Sequence, residues 1–212
     1  MRLKNFMKNI ELKKITKKLS TKEFSKIKML IKNENPRSLL SNLNDKILKK
    51  YLNHCVLSSS FFIYSCNLKK NMIGYVIFAK KYKLIRSEFS FLSKQIFFDQ
   101  IFKFKIKNLL NFFLIFTNLE NIFIEKKKMA IIRENLNLNL FAINSRYQSM
   151  GIGKYFLKSC LKTMKNKYKF KYLITETFTN RAISFYLTKM NFKKFCIKIR
   201  LFKNLKVLIY KF

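Results

Sequence analysis

The stretch NLNLNLFAINSRYQSMGIGKYFLKSCLKTM, residues 135–164, decides the fold. Asn135, Leu136, Asn137, Leu138, Asn139 and Leu140 alternate strictly, and Phe141, Ala142 and Ile143 follow. A period of two over this length predicts a β-strand with one buried face. NSRYQSMGIGK then reads as a loop. Beyond it Ile152, Phe156, Leu157, Cys160, Leu161 and Met164 recur at helical spacing and form one apolar stripe. Gly151 and Gly153, two of only three glycines in the chain, stand at this strand-to-helix turn. Glycines there let backbone N–H groups converge on an anion, and the helix N-terminus adds about half a positive charge. Such a nest suits a pyrophosphate. It is neither of the two commonest phosphate loops. G-x-G-x-x-G needs a third glycine, and in GxxxxGK[ST] the lysine precedes Ser or Thr, whereas Tyr155 follows Lys154.

Downstream, Tyr172–Thr175 reads as a strand. Asn180 is expected to cap a helix from Arg181 to Met190, with Ala182, Ile183, Tyr186 and Met190 on one side. Asn191 stands where that helix must stop, and Asn tolerates the left-handed conformation. Phe192–Phe212 can add one or two strands. Upstream, Phe24, Ile27, Leu30 and Ile31 mark a helix within residues 20–54, Pro36 interrupts, and Leu39–Leu52 resumes as a second short helix. Residues 56–66 and 72–81 read as a β-hairpin around NLKKN, with Gly74 marking a bulge or a close backbone approach. In 82–130, Phe and Ile mix irregularly with Lys, which predicts one or two inserted amphipathic helices. These would pack over the active site, rest on an anionic membrane surface, or form a homodimer contact.

Composition bounds the class. The chain has 212 residues and 49% hydrophobic content, enough for a core and too apolar for global disorder. One domain over 1–212 is expected. The 46 basic and 10 acidic residues give a net charge of +36. That field attracts RNA, anionic lipid or phosphorylated ligands. The same bias also arises from A/T-rich codons, which favour Lys, Asn, Ile and Phe. Four cysteines, at 55, 66, 160 and 196, form no CxxC pair. This argues against a zinc ribbon or disulfide scaffold and for reduced thiols in the cytoplasm. No apolar run follows the basic first 20 residues as a signal peptide requires. The longest apolar run, Asn108 to Leu119, is short of the roughly 20 residues that cross a bilayer. His54, the only histidine, is expected at the surface or in the hairpin, so Ser-His-Asp and Cys-His chemistry are not expected. Metal-ligand clusters are absent from the pattern.

Gln148-x-x-Gly151-Ile152-Gly153 resembles the Q/R-x-x-G-x-G/A signature of the GCN5-related N-acetyltransferase (GNAT) superfamily. Asn180-Arg181-Ala182-Ile183-Ser184-Phe185-Tyr186 resembles its second motif, N-x-x-A-x-x-F-Y, with Asn191-Phe192 where Gly-Phe is usual. The resemblance spans 135–195, extends loosely to 56–81, and does not cover 82–130. It implies an α/β (α+β) fold: a mixed, mostly antiparallel central sheet flanked by helices, with a helical insertion before the cofactor-binding strand. It also implies acetyl-CoA as co-substrate. The backbone of Gln148, Ser149, Met150, Gly151, Ile152, Gly153 and Lys154 would bind its pyrophosphate. Phe141, Ala142 and Ile143, on a strand that splays from its neighbour, would line the pantetheine arm, with a backbone N–H there polarising the thioester carbonyl. Asn180 would contact the thiol end, and Tyr186 would protonate the departing thiolate. An amine would attack directly, with no covalent enzyme intermediate. Glu176, and behind it Glu134, are the general-base candidates.

The acceptor is less constrained. An amino-sugar or small metabolite ranks first, and the N-terminus or a lysine of a protein second. A polycation fits poorly with a +36 chain. A reading of another class keeps the fold without catalysis, as a module that binds RNA or an anionic membrane.

Overall fold

The computed structural model describes residues 9–36, 38, 40–80, 121, 123–200 and 203–212, together with Gln95, Phe98 and Leu110. Most of the expected insertion over 82–130 lies outside the described residues. Its final part is a helix. In chain order the elements are β1 (Ile10–Ile15), α1 (Thr21–Glu34), α2 (Asp45–Leu57), β2 (Phe61–Leu68), β3 (Asn71–Ala79), α3 (Lys126–Glu134), β4 (Leu136–Ile143), α4 (Ile152–Lys167), β5 (Tyr172–Thr177), α5 (Asn180–Ser184), a π-helical turn (Phe185–Lys189), β6 (Lys193–Arg200) and β7 (Lys203–Lys211). The strands form one seven-stranded sheet in the order β1-β2-β3-β4-β5-β7-β6. β1–β2, β5–β7 and β6–β7 pair antiparallel, and β4–β5 is parallel. This is the mixed, mostly antiparallel, helix-flanked sheet expected from the motifs.

The chain divides into two compact units, Met1–Phe78 with Asn139–Lys169, and Ala79–Leu138 with Phe170–Phe212. In the first, α1 starts at a capping box. The Ser20 hydroxyl accepts from the Glu23 backbone N–H at 3.2 Å, and the Glu23 carboxylate accepts from the Ser20 N–H at 3.0 Å. Phe24, Ile27, Leu30 and Ile31 are buried, as their spacing predicts. The second helix begins later than expected. Leu40–Asn42 forms a 3-10 turn, and Asn44 caps α2 by accepting from the Ile47 N–H at 2.9 Å. α2 also runs further, so Val56 and Leu57 are helical and the hairpin strand begins at Phe61. His54 therefore belongs to the last turn of α2 rather than to the hairpin, half-buried against Phe61. Lys69 and Lys70 turn the hairpin with φ of 47° and 66°, the left-handed pair that a tight hairpin uses. Gly74 marks a close approach: a Cβ there would lie 2.8 Å from the Ala142 carbonyl oxygen and against the Ile143 side chain.

In the second unit, α3 covers one face of the sheet. Ile124, Met129 and Ile132 pack with Ile174 and Val207. This corrects one expectation. The start of β4 is buried on both faces, with Asn137 only 4% exposed between Leu136 and Leu138. Its amide is satisfied by donating to the Ile132 and Asn135 carbonyls at 3.2 and 2.8 Å. Asn191 has φ 58°, the left-handed stop expected of it. Asn180 does not cap its helix. Thr179 does, its hydroxyl accepting from the Ala182 N–H at 3.3 Å, so Asn180 is the first helical residue. Thr and Asn compete closely for this position, and the extended backbone falls one residue earlier.

Candidate acetyl-CoA site

The loop after β4 is built by its own backbone. The Asn144 N–H donates to the Ile73 carbonyl on β3 at 2.8 Å and ends the strand. Ser145–Tyr147 forms a 3-10 turn, closed by the Gln148 N–H on the Ser145 carbonyl at 3.1 Å. Ser149 and Gly151 then both take left-handed conformations, φ 66° and 74°. Alternating handedness of this kind aims successive N–H groups to one side, which is the geometry of an anion nest. Gly151 occupies the cap position of α4, and no side chain caps that helix. The first helical N–H groups have no intrahelical partner by geometry. The first turn carries no acid and contains Lys154. A lysine at an uncapped N-terminus opposes the helix dipole, and a bound anion relieves both costs.

Three hydrogen bonds that the sequence did not reveal fix the loop. The Gln148 side-chain amide points inward, donating to the Ile143 carbonyl at 2.6 Å and to the Glu34 carboxylate at 2.8 Å. Glu34 also accepts from the Ser145 N–H at 2.8 Å. On β4, Ala142 and Ile143 are buried and Phe141 is half-buried, its ring 6.0 Å from that of Phe156. Asn144 bonds towards β3, and backbone directions alternate along a strand. Phe141 and Ile143 therefore present their N–H and C=O to the opposite edge.

The remaining candidates lie in the second unit. Parallel pairing of β4 with β5 spans Leu136–Leu173, Asn137–Ile174 and Leu138–Thr175, while β4 runs on to Ile143 and β5 to Thr177. Tyr186 sits in the π-helical turn, 6% exposed, between Phe185 and Phe192 at ring distances of 5.3 and 5.1 Å. The Phe192 N–H donates to the Tyr186 carbonyl at 3.0 Å and locks the turn. Burial pushes the Tyr186 phenol above its ordinary range, and a hydrogen bond with the Thr175 side chain acts weakly the other way. Asn180 is exposed at the start of α5.

Glu176 follows Thr175 on β5 and so faces the other side of the sheet from Tyr186. Its carboxylate is ion-paired with Lys198 of β6, which is wholly buried. Cys196 lies within electrostatic reach of this pair. Glu134 is exposed at the end of α3.

Residues 115–192 match the sequence model of the acetyltransferase (GNAT) family. Over those residues the chain is similar to a GNAT acetyltransferase domain. Both quoted motifs fall inside the matched range, and so do β4, the loop, α4, β5, α5 and the π turn. No protein of curated function matches the chain in sequence. Among solved structures, the polyamine N-acetyltransferase of Drosophila melanogaster superposes with TM-score 0.62 at 5% identity, covering 95% of this chain and 100% of the other. The ribosomal-protein-S18-alanine N-acetyltransferase of Escherichia coli gives 0.52 at 9% identity, covering 95% and 93%. The PaiA N-acetyltransferase of Thermoplasma acidophilum, in complex with coenzyme A, gives 0.53 at 12% identity, covering 96% and 99%. Identities this low speak for the GNAT fold. Acetyl-CoA is the acyl donor of the family. Among the described residues, no helix is long and apolar enough to cross a membrane.

Proposed function

We propose that the chain, as one GNAT domain over 1–212, transfers an acetyl group from acetyl-CoA to the primary amine of an amino-sugar or small metabolite. The observation that carries the cofactor reading is the paired left-handed backbone at Ser149 and Gly151 before an uncapped, acid-free helix start. In this reading the N–H groups of Gln148 to Lys154 hold the pyrophosphate, and a phosphate replaces the missing cap. Phe141, Ala142 and Ile143 line the pantetheine arm in this reading. Bound acetyl-CoA supplies the thioester carbonyl that the amine attacks and the thiolate that leaves as the C–S bond breaks. Tyr186, protonated at neutral pH as any phenol is, gives its proton to the thiolate. Asn180 contacts the cofactor near the same end.

Glu176 takes the ammonium proton, directly or through water, from the face of β5 opposite Tyr186. Its pairing with Lys198 orients the carboxylate and competes with that role. The acceptor is a neutral or anionic amine, since a +36 chain repels a polycation. The four cysteines are thiols rather than disulfides, which suits the cytoplasm.

A thiol-release assay with acetyl-CoA and a panel of amines tests this reading. Turnover with an amino-sugar or small amine, abolished by Gly151→Glu, is the expected result. Turnover only with a protein amine would replace the acceptor. No turnover with any amine, in a chain that binds RNA or anionic vesicles, would replace the enzyme by a binding module.

A further inference from the structure

Glu34 is out of place by simple electrostatics. It is one of only 10 acidic residues, and it ends α1, where the helix dipole disfavours a negative charge. It also stands beside a loop read above as an anion site. Its bonds explain the position. One carboxylate oxygen accepts from the Ser145 N–H and the other from the Gln148 side chain, both at 2.8 Å. The Gln148 amide in turn donates to the Ile143 carbonyl, the last residue of β4. A single side chain from α1 thus ties together the two ends of the turn that leads into Ser149 and Gly151. The resemblance gives no role to this position, and Glu34 stands 114 residues from Gln148 in sequence.

We propose that Glu34 is a positioning residue for the cofactor loop. It fixes the Ser145–Gln148 turn, so that the left-handed residues after it present their N–H groups in one direction. The inference rests on the pyrophosphate reading of that loop. Its energetic logic is that a preformed nest binds phosphate without first being ordered. The negative charge weakens phosphate binding at longer range, and the two charge-assisted bonds outweigh it.

The test uses the full chain with Glu34→Ala, Glu34→Gln, Gln148→Ala and the double variant Glu34→Ala/Gln148→Ala. Glu34→Ala should weaken acetyl-CoA binding about tenfold, the scale of one lost charge-assisted hydrogen bond, with kcat at saturating acetyl-CoA unchanged. Glu34→Gln keeps the size and one acceptor, guards against loss of the fold, and should fall between. The double variant should bind no worse than the weaker single variant, because both act on one turn. The Ser145 amide should exchange hydrogen at least about tenfold faster in Glu34→Ala, since opening that bond is what protects it.

Binding that is unchanged or tighter in Glu34→Ala overturns the proposal, as does full additivity with Gln148→Ala. Hydrogen exchange separates the two claims. If wild-type chain fails to bind acetyl-CoA while Glu34→Ala deprotects Ser145, the pyrophosphate reading falls and the brace stands. If Ser145 protection is unaltered, the brace falls whatever acetyl-CoA does.

Discussion

At the scale of single residues, Tyr186 and Glu176 are set apart by one position on β5. Thr175, whose side chain acts on the Tyr186 phenol, lies on one face, and Glu176 meets Lys198 on the other. In the proposed roles, an acid and a base on opposite faces suit a reaction in which donor and acceptor approach from opposite sides. Tyr186→Phe removes the proton and keeps the ring stack, so kcat should drop by about 100-fold or more while acetyl-CoA affinity holds. Single-turnover kinetics beside equilibrium binding separates the two. Lys198→Met leaves the Glu176 carboxylate without its buried counter-ion and should cost about 3–5 kcal/mol in denaturant unfolding. Lys198→Met/Glu176→Leu should recover most of that loss.

The loop that carries Gln148 and Gly151, and the helical turns that carry Asn180 and Tyr186, were legible because their sequence patterns are local. Glu34 and Lys198 were not. Their partners lie 114 and 22 residues away, and no short-range pattern encodes them. The one available signal for Glu34 was an acid at the wrong end of its helix.

At the scale of elements, periodicity found the helices and the paired strands, and side-chain chemistry at their ends moved the boundaries. α2 begins at Asn44 rather than near Leu39 because Asn44 supplies the cap. α5 begins one residue early because the Thr179 hydroxyl does the same. β4 keeps its period-two sequence, yet both faces of its start are covered, because α3 came from a segment whose Lys-rich pattern did not show where it would pack. β1 carried too weak an alternation to be read, since it is an edge strand with a mixed pattern.

The α1 capping box yields a prediction at this scale. Ser20→Ala should destabilise the fold by about 1 kcal/mol near neutral pH, measured by denaturant unfolding. The Ser20 backbone N–H bonds the charged form of Glu23 and holds its carboxyl below the usual value. That contribution is present above the unfolded pKa and is lost as pH falls through the folded one. Ser20→Ala keeps that backbone bond and removes the hydroxyl's bond to the carboxylate at 2.8 Å, so only this smaller part of its cost should shrink in acid.

At the scale of the whole molecule, the net charge of +36 is the most conspicuous property and the least specific. Exposed lysines recur along α4 at 154, 158, 162 and 165, facing solvent, whereas the proposed anion nest would be made by backbone. The two predict different salt responses. Binding to RNA through six or more phosphates should fall by about 10³-fold or more between 50 and 200 mM salt. Acetyl-CoA held by fixed N–H groups should lose much less.

Cofactor binding depends on that nest. Its most direct measurement is calorimetric titration of acetyl-CoA into the folded chain at moderate salt, with Gly151→Glu as control. Gly151 has φ 74°, which strains a residue with a side chain, and in the proposed site a carboxylate there would meet the pyrophosphate. Saturable binding to the wild type that disappears in Gly151→Glu is the predicted result. Equal binding by both proteins, or none by a folded wild type, would contradict it.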